Sequence, residues 1–192
     1  TGTYRGLRYN SVLDSDNIDI SVRCYSNNTT AGSGILVRAP NSGTAQTDLD
    51  GYAVLFFPND AFYLLRFDNG SDGGRGYGFT YGAPTTNTYY TLRITVQGST
   101  VTGYVDGTQR FQFTDTTYSG SGNRSVAILS YGEAPRYDDF SAQDIVSSQT
   151  VTPSLFTNTN TFYTYTISNA NGAQSVSLDL LENTNFFYDS TL

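Results

Sequence analysis

The chain has 192 residues, enough for one domain of ordinary size plus an appendage, with a net charge of −7 and a pI near 4.3. All ten basic residues are arginine, and Lys, His, Met and Trp are absent. That balance argues against binding nucleic acid or an anionic membrane, both of which ask for a basic surface. No apolar run approaches the ~20 residues that span a bilayer.

Strand signals begin at "NIDISVRC", where Ile18, Ile20 and Val22 alternate with Asp19, Ser21 and Arg23 in the period of a half-buried strand. Cys24 ends this run; as the single cysteine it excludes an internal disulfide, and it reads as a small buried hydrophobe. "GILVRA" and "GYAVLFF" follow, then "AFYLLRF" after a Pro58-Asn59-Asp60 turn. In "TLRITV", Leu92, Ile94 and Val96 share a face; in "VTGYV", Val101, Gly103 and Val105 do. Asp106-Gly107 is a two-residue hairpin signal, since a type I′ turn needs positive φ at both positions. Phe111 and Phe113 then point inward, which completes a three-stranded meander. A Gly/Ser loop, "YSGSGNRS", leads to "VAILSY" and finally "RYDDFSAQDIV". No segment shows a convincing helical period. Sixteen Tyr, twelve Phe and nineteen Gly fit an all-β protein whose core is largely aromatic.

These residues define the expected fold: an all-β, antiparallel jelly-roll β-sandwich over residues 1–146, with a C-terminal β-hairpin repeat extension over 147–192. "YYTLRITVQGSTVTGYVDGTQRFQFTD", "SGSGNRSVAILSYG" and "YDDF" together resemble the C-terminal half of the concanavalin A-like lectin/glucanase jelly rolls, the laminin-G-like branch above all. The likeness covers residues 15–146 in outline and 89–140 in detail. It implies a sandwich of the kind used by lectins, carbohydrate-binding modules, adhesion domains and glycosidases. The family's usual first strand, upstream of Thr1, is not obvious, and "TGTYRG" opens without Met, so the chain is expected to be part of a longer polypeptide.

Glycoside hydrolysis needs two carboxyl groups about 5–10 Å apart. Only two glutamates occur, Glu133 and Glu182, and neither lies in the Glu-x-Asp-x-x-Glu pattern of the glycosidase branch. Asp138 and Asp139 are adjacent, so on a regular strand they face opposite ways; in "DDF" one Asp is expected to satisfy loop amides while Phe140 packs inward. Without histidine there is no Ser-His-Asp chemistry. The expectation is therefore a protein that is not an enzyme.

The loop "RFDNGSDGGRGYGFTYG" is the leading candidate for ligand binding. Asp68 and Asp72 can offer oxygens to Ca²⁺, and Arg75, Tyr77 and Tyr81 can hydrogen-bond to and stack on a sugar. The plainer reading is a hairpin loop whose Asp and Asn residues cap turns. The spacing does not match an EF-hand, so no cofactor is expected. Asp14, Asp16 and Asp19, and Asp48 with Asp50, read as solvated turn residues. Sequons at Asn27, Asn28, Asn69 and Asn123 matter only on a eukaryotic secretory route.

The tail repeats itself. Residues 151–167 and 176–192 share Val, Leu, Asn, Thr, Asn, Phe, Tyr and Thr at matched positions, 25 residues apart. Each unit reads as a strand, an "NTN" turn and an aromatic strand, with "SNANGAQ" as a turn joining the two. One unit is too small to bury Leu155, Phe156, Phe162 and Tyr163, or Leu180, Phe187 and Tyr188, by itself, so these are assigned to docking or assembly. "VTPSLFTNTNTFYTYTI" is similar to short repeats in structural and adhesion proteins of tailed bacteriophages. That resemblance implies a virion-surface or extracellular protein, oligomeric or part of an assembly, whose partners are other virion subunits and glycans.

Overall fold

Alternating and continuous apolar sequences go to different sheets. The structure, a computed structural model, describes residues 4–41, 49–71, 79–132 and 135–146, together with 166–169 and 172–175. In chain order the strands of the first unit (residues 1–148) are β1 Tyr4–Arg8, β2 Ile18–Ser26, β3 Gly32–Ala39, β4 Gly51–Phe56, β5 Phe62–Phe67, β6 Phe79–Tyr81, β7 Thr88–Gln97, β8 Thr100–Val105, β9 Thr108–Thr114, β10 Ser125–Tyr131 and β11 Arg136–Asp144. They form a six-stranded sheet in the order β1-β10-β3-β4-β5-β6 and a five-stranded sheet in the order β11-β2-β7-β8-β9, all paired antiparallel. No helix occurs among the described residues.

The five-stranded sheet takes the alternating sequences. Ile18, Ile20, Val22 and Cys24 of β2 lie opposite Val96, Ile94, Leu92 and Tyr90 of β7, and all but Tyr90 are fully buried. Burial pushes the Cys24 thiol's pKa well above its usual value, which leaves it inert. From the other sheet Ile35, Val37, Tyr52, Val54, Phe56, Phe62 and Leu64 complete the shared core. Full burial of each such side chain is worth about 1.5–3 kcal/mol. Gly103 makes room for this contact, because a Cβ there would stand 2.9 Å from Val54 and 3.0 Å from Phe111. The meander β7-β8-β9 forms as expected, and Asp106 and Gly107 turn it with φ of 48° and 76°.

The six-stranded sheet takes the continuous apolar runs. Every residue of β3 and β4 is buried. Its second face carries its own buried cluster, including Leu36, Ala53, Leu55, Tyr63, Leu65, Phe67 and Leu129. Sequences buried on both faces lose alternation, which explains why "GILVRA" and "GYAVLFF" show none.

Two expectations are corrected. Phe140 does not pack inward. A register shift in β11 between Asp138 and Ser141, with Asp139 at φ 50°, turns Phe140 out, where it is 38% exposed and rests on Tyr9 with ring centroids 5.7 Å apart. "SNANGAQ" is more than a joining turn: Thr166–Asn169 (β12) and Gly172–Ser175 (β13) pair antiparallel within it. This hairpin is the described part of the second unit, residues 149–192. Leu155, Phe156, Phe162, Tyr163, Leu180, Phe187 and Tyr188 lie outside the described residues, as do Glu133 and Glu182.

A Cβ on Gly34 would meet the Val54 carbonyl oxygen and the Leu55 Cβ at 2.4 Å each, whereas one on Gly122 would meet nothing within 4 Å. Gly34→Ala is expected to lower stability by about 1–3 kcal/mol in urea unfolding, and Gly122→Ala to change it by less than about 0.5 kcal/mol.

Candidate functional site

Where β6 leaves the sheet, the chain must turn sharply to cross to β7. Gly82, at φ 57°, and Pro84 make that turn, and Asn59 donates its N–H to the Pro84 carbonyl at 2.6 Å. Tyr90 braces the crossing by accepting the Thr85 N–H on its hydroxyl at 3.0 Å. Between this segment and the β8-β9 turn lies a cleft of about 250 Å³. Its floor is aromatic: Phe62 sits 5.0 Å from the Tyr90 ring and 6.1 Å from the Tyr81 ring.

Three polar groups converge there. Tyr81 is 38% exposed, and the Arg110 guanidinium lies over its ring at 4.1 Å. Asp106 is held by β7: its N–H donates to the Thr91 carbonyl at 2.8 Å, and its Oδ1 accepts the Thr91 N–H at 2.8 Å. Asp106 lines the cleft, and Arg110 has no carboxylate partner among the described residues. Thr108 adds a hydroxyl to the wall. The cleft thus offers an aromatic face, a bank of N–H donors and one carboxylate acceptor. A polyhydroxylated ring asks for the same set: its C–H face stacks on an aromatic ring, while neighbouring hydroxyls both accept and donate. One carboxylate does not make the pair that glycoside hydrolysis requires.

Of the loop candidates, the structure separates Asp68 from Tyr81. Tyr81 pairs with Phe62 at the start of β5, and Asp68 follows its last residue, Phe67. Six strand residues at ~3.3 Å each put about 20 Å between them. Asp72, Arg75 and Tyr77 lie outside the described residues. Asp68 is engaged in a network: Arg66 donates from Nε to its Oδ2 at 2.9 Å, and Tyr118 donates its hydroxyl to Oδ1. Arg66 also reaches Asp115 at 3.0 Å, and Asp115 accepts from the Tyr52 hydroxyl at 3.0 Å and the Thr117 N–H at 2.6 Å. Burial raises the Tyr118 pKa, and the hydrogen bond to Asp68 adds to it; burial likewise pushes Tyr52 up to about 12. No group of three or more potential metal ligands occurs among the described residues.

The fully buried Arg38 is the neighbouring staple. It donates from Nε to the Asp16 carbonyl at 2.8 Å and from Nη2 to the Gly98 carbonyl at 2.7 Å. It therefore ties β3 to the β7-β8 turn of the other sheet. Burial lowers its pKa, and the Asp16 carboxylate, 3.5 Å away, opposes that drop.

Sequence reasoning found Tyr81 but not its cleft. Asp106 was legible as a turn residue, not as an acceptor. Arg110 read only as an outward strand residue, and nothing in the linear pattern tied it to Tyr81.

No protein-family model and no curated protein matches this sequence. Solved structures do match the fold. The carbohydrate-binding module CBM66 of Bacillus subtilis aligns over 75% of this chain and 84% of its own, with TM-score 0.56 and 12% identity. The carbohydrate recognition domain of Emp46p, in a potassium-bound form, aligns over 77% and 81%, with TM-score 0.52 and 14% identity. A β-glucanase from Bacillus licheniformis aligns over 70% and 67%, at a TM-score of 0.46 and 16% identity. The chain shares an antiparallel jelly-roll sandwich with this module and this recognition domain. At these identities the likeness is one of fold.

Burial alone would raise the Asp115 pKa, but hydrogen bonds from Thr117, Arg66 and Tyr52 outweigh it and hold the carboxyl below its ordinary 3.8. A depressed carboxylate contributes stability above its unfolded pKa and loses it as pH falls through its folded value. Urea midpoints are expected to fall between pH 5 and pH 3, and to fall less in Asp115→Asn, which starts about 1–3 kcal/mol less stable. An unchanged pH slope in the variant would remove Asp115 from this account.

Proposed function

We propose that the sandwich is a non-catalytic glycan-binding domain whose cleft at Tyr81, Asp106 and Arg110 takes an uncharged sugar ring. The convergence of an arginine-capped tyrosine, a carboxylate held by β7 and an aromatic floor on one small cleft carries this reading. The carbohydrate-binding module and the carbohydrate recognition domain that share the fold support it. The lone carboxylate favours binding over hydrolysis. The sugar packs on the part of the Tyr81 ring that Arg110 leaves uncovered, donates a hydroxyl to Asp106 and accepts from Arg110, with no metal in the contact.

The setting we propose is a virion surface, where the domain decorates a tail fibre, tail accessory protein or capsid and binds host or environmental glycans. The aromatic Asn/Thr repeat at 151–167 and 176–192 and the acidic, lysine-free composition support that placement. A carbohydrate-binding module of a secreted bacterial protein is the second reading, favoured by the Bacillus subtilis module. The reading frame around these residues separates the two: a hydrolase domain in the same frame points to the module, neighbouring phage structural genes to the virion.

Calorimetry against neutral oligosaccharides, chosen by a glycan array, tests the cleft. Tyr81→Ala, Arg110→Ala and Asp106→Asn are each expected to weaken binding about tenfold or more, equivalent to about 1.4 kcal/mol. EDTA is expected to leave the affinity unchanged. Array silence, or binding indifferent to all three variants, would overturn the assignment.

A further inference from the structure

The outer face of the five-stranded sheet is not a plain solvated surface. Most of its residues are Ser, Thr and Gln, but at the end where β7 begins, aromatic and guanidinium groups collect. Tyr25 of β2 and Tyr89 of β7 are directly opposed, with ring centroids 5.0 Å apart. Arg23 lies over the Tyr89 ring at 4.2 Å, and Arg136 of β11 lies over the Tyr25 ring at 5.5 Å. The Tyr25 hydroxyl donates to Asn87 Oδ1 at 2.7 Å, which anchors the Tyr25 ring.

The arginines of this face differ in what they have left to give. Arg93 is spent: it makes a two-pronged contact with Asp19 at 2.8 and 2.7 Å, and that contact raises its pKa. Arg136 has no carboxylate partner among the described residues. Arg23 has one long contact, 3.7 Å to Asp138, with side chains 44% and 61% exposed. A pair that open to water holds its arginine only weakly. A guanidinium over a tyrosine ring keeps N–H donors to give, and its fork matches a carboxylate. The two guanidiniums thus bracket a tyrosine pair, with Asp138 held only at 3.7 Å from Arg23. Two guanidiniums thus gather on one face of a chain whose net charge is −7.

We propose that this platform is a second binding surface, separate from the cleft, and that its ligand is an acidic polysaccharide. Arg23 and Arg136 take the carboxylates of a uronic acid chain, and the outward edges of Tyr25 and Tyr89 pack against its sugar rings. The surface is flat and open, so it binds along a chain rather than at a chain end.

Polygalacturonate is the probe, and its methyl ester, the same backbone without the charge, is the control. The full chain is expected to bind polygalacturonate and to bind the ester at least about tenfold more weakly. Arg136→Gln and Tyr89→Ala should each weaken polygalacturonate binding by a similar factor. Arg136→Gln breaks no ion pair among the described residues, so it separates ligand loss from misfolding, and its melting temperature checks this. Tyr81→Ala, in the cleft, should leave polygalacturonate binding unchanged. No binding at millimolar uronate, equal binding of acid and ester, or retention in Arg136→Gln would overturn the proposal. Loss in Tyr81→Ala alone would assign the acidic chain to the cleft instead.

Discussion

Burial of both faces of the central strands β3, β4 and β5 of the six-stranded sheet is the constraint from which the rest of this structure follows. One face packs Ile35, Val37, Val54, Phe56 and Leu64 against the five-stranded sheet; the other packs Leu36, Ala53, Leu55, Leu65 and Phe67 into a second apolar cluster. A sheet dry on both sides has no room for the polar side chains that grip a ligand. The sheet even gives up side chains to fit: Gly32 lies where a Cβ would stand 2.7 Å from the Phe57 ring, and Gly34 where one would strike Leu55. Function is thereby displaced to places where polar and aromatic groups can meet water, namely the sandwich end and the outer face of the other sheet.

That displacement also explains where the charged residues sit. Arg38, fully buried, serves the carbonyls of Asp16 and Gly98 and holds the two sheets together. Arg66 and Asp115 close a network with Tyr52 and Asp68, so Asp68 is structural despite its loop position. A buried charge is retained when hydrogen bonds offset its desolvation; Arg38 has them at Nε and Nη2, while its Nη1 has none among the described residues. Arg110, Arg23 and Arg136 instead lie over tyrosine rings, 4.1, 4.2 and 5.5 Å from the ring centroids. Burial sorts the arginines into those that hold the fold and those that are open to ligands.

The class of fold was legible because period-two alternation is a local signal. "NIDISVRC", "TLRITV" and Asp106-Gly107 each declare their structure within a few residues, and all became strands and turn as read. Strand β1, "YRGLR", and strand β6, three residues long, carry too little pattern to announce themselves. Phe140 escaped because a bulge shifts the side-chain period, and alternation alone does not reveal a bulge. The cleft escaped for a different reason. Tyr81 ends an edge strand of one sheet and Arg110 lies on an edge strand of the other, so their meeting depends on how the sheets close. No spacing in the chain encodes that. The loop at 66–82 was attractive for its glycines and aspartates, yet strand geometry sends its two ends to opposite ends of β5.

The account stands or falls on where a glycan touches the protein. Amide chemical shifts followed by NMR during titration with a neutral oligosaccharide measure this directly. The predicted result is a set of saturable shifts at Gly82, Thr85, Asp106, Gly107 and Arg110, with the β3-β4-β5 amides unmoved. Shifts confined to β3, β4 and β5, or a spectrum unchanged by every glycan tried, would contradict it.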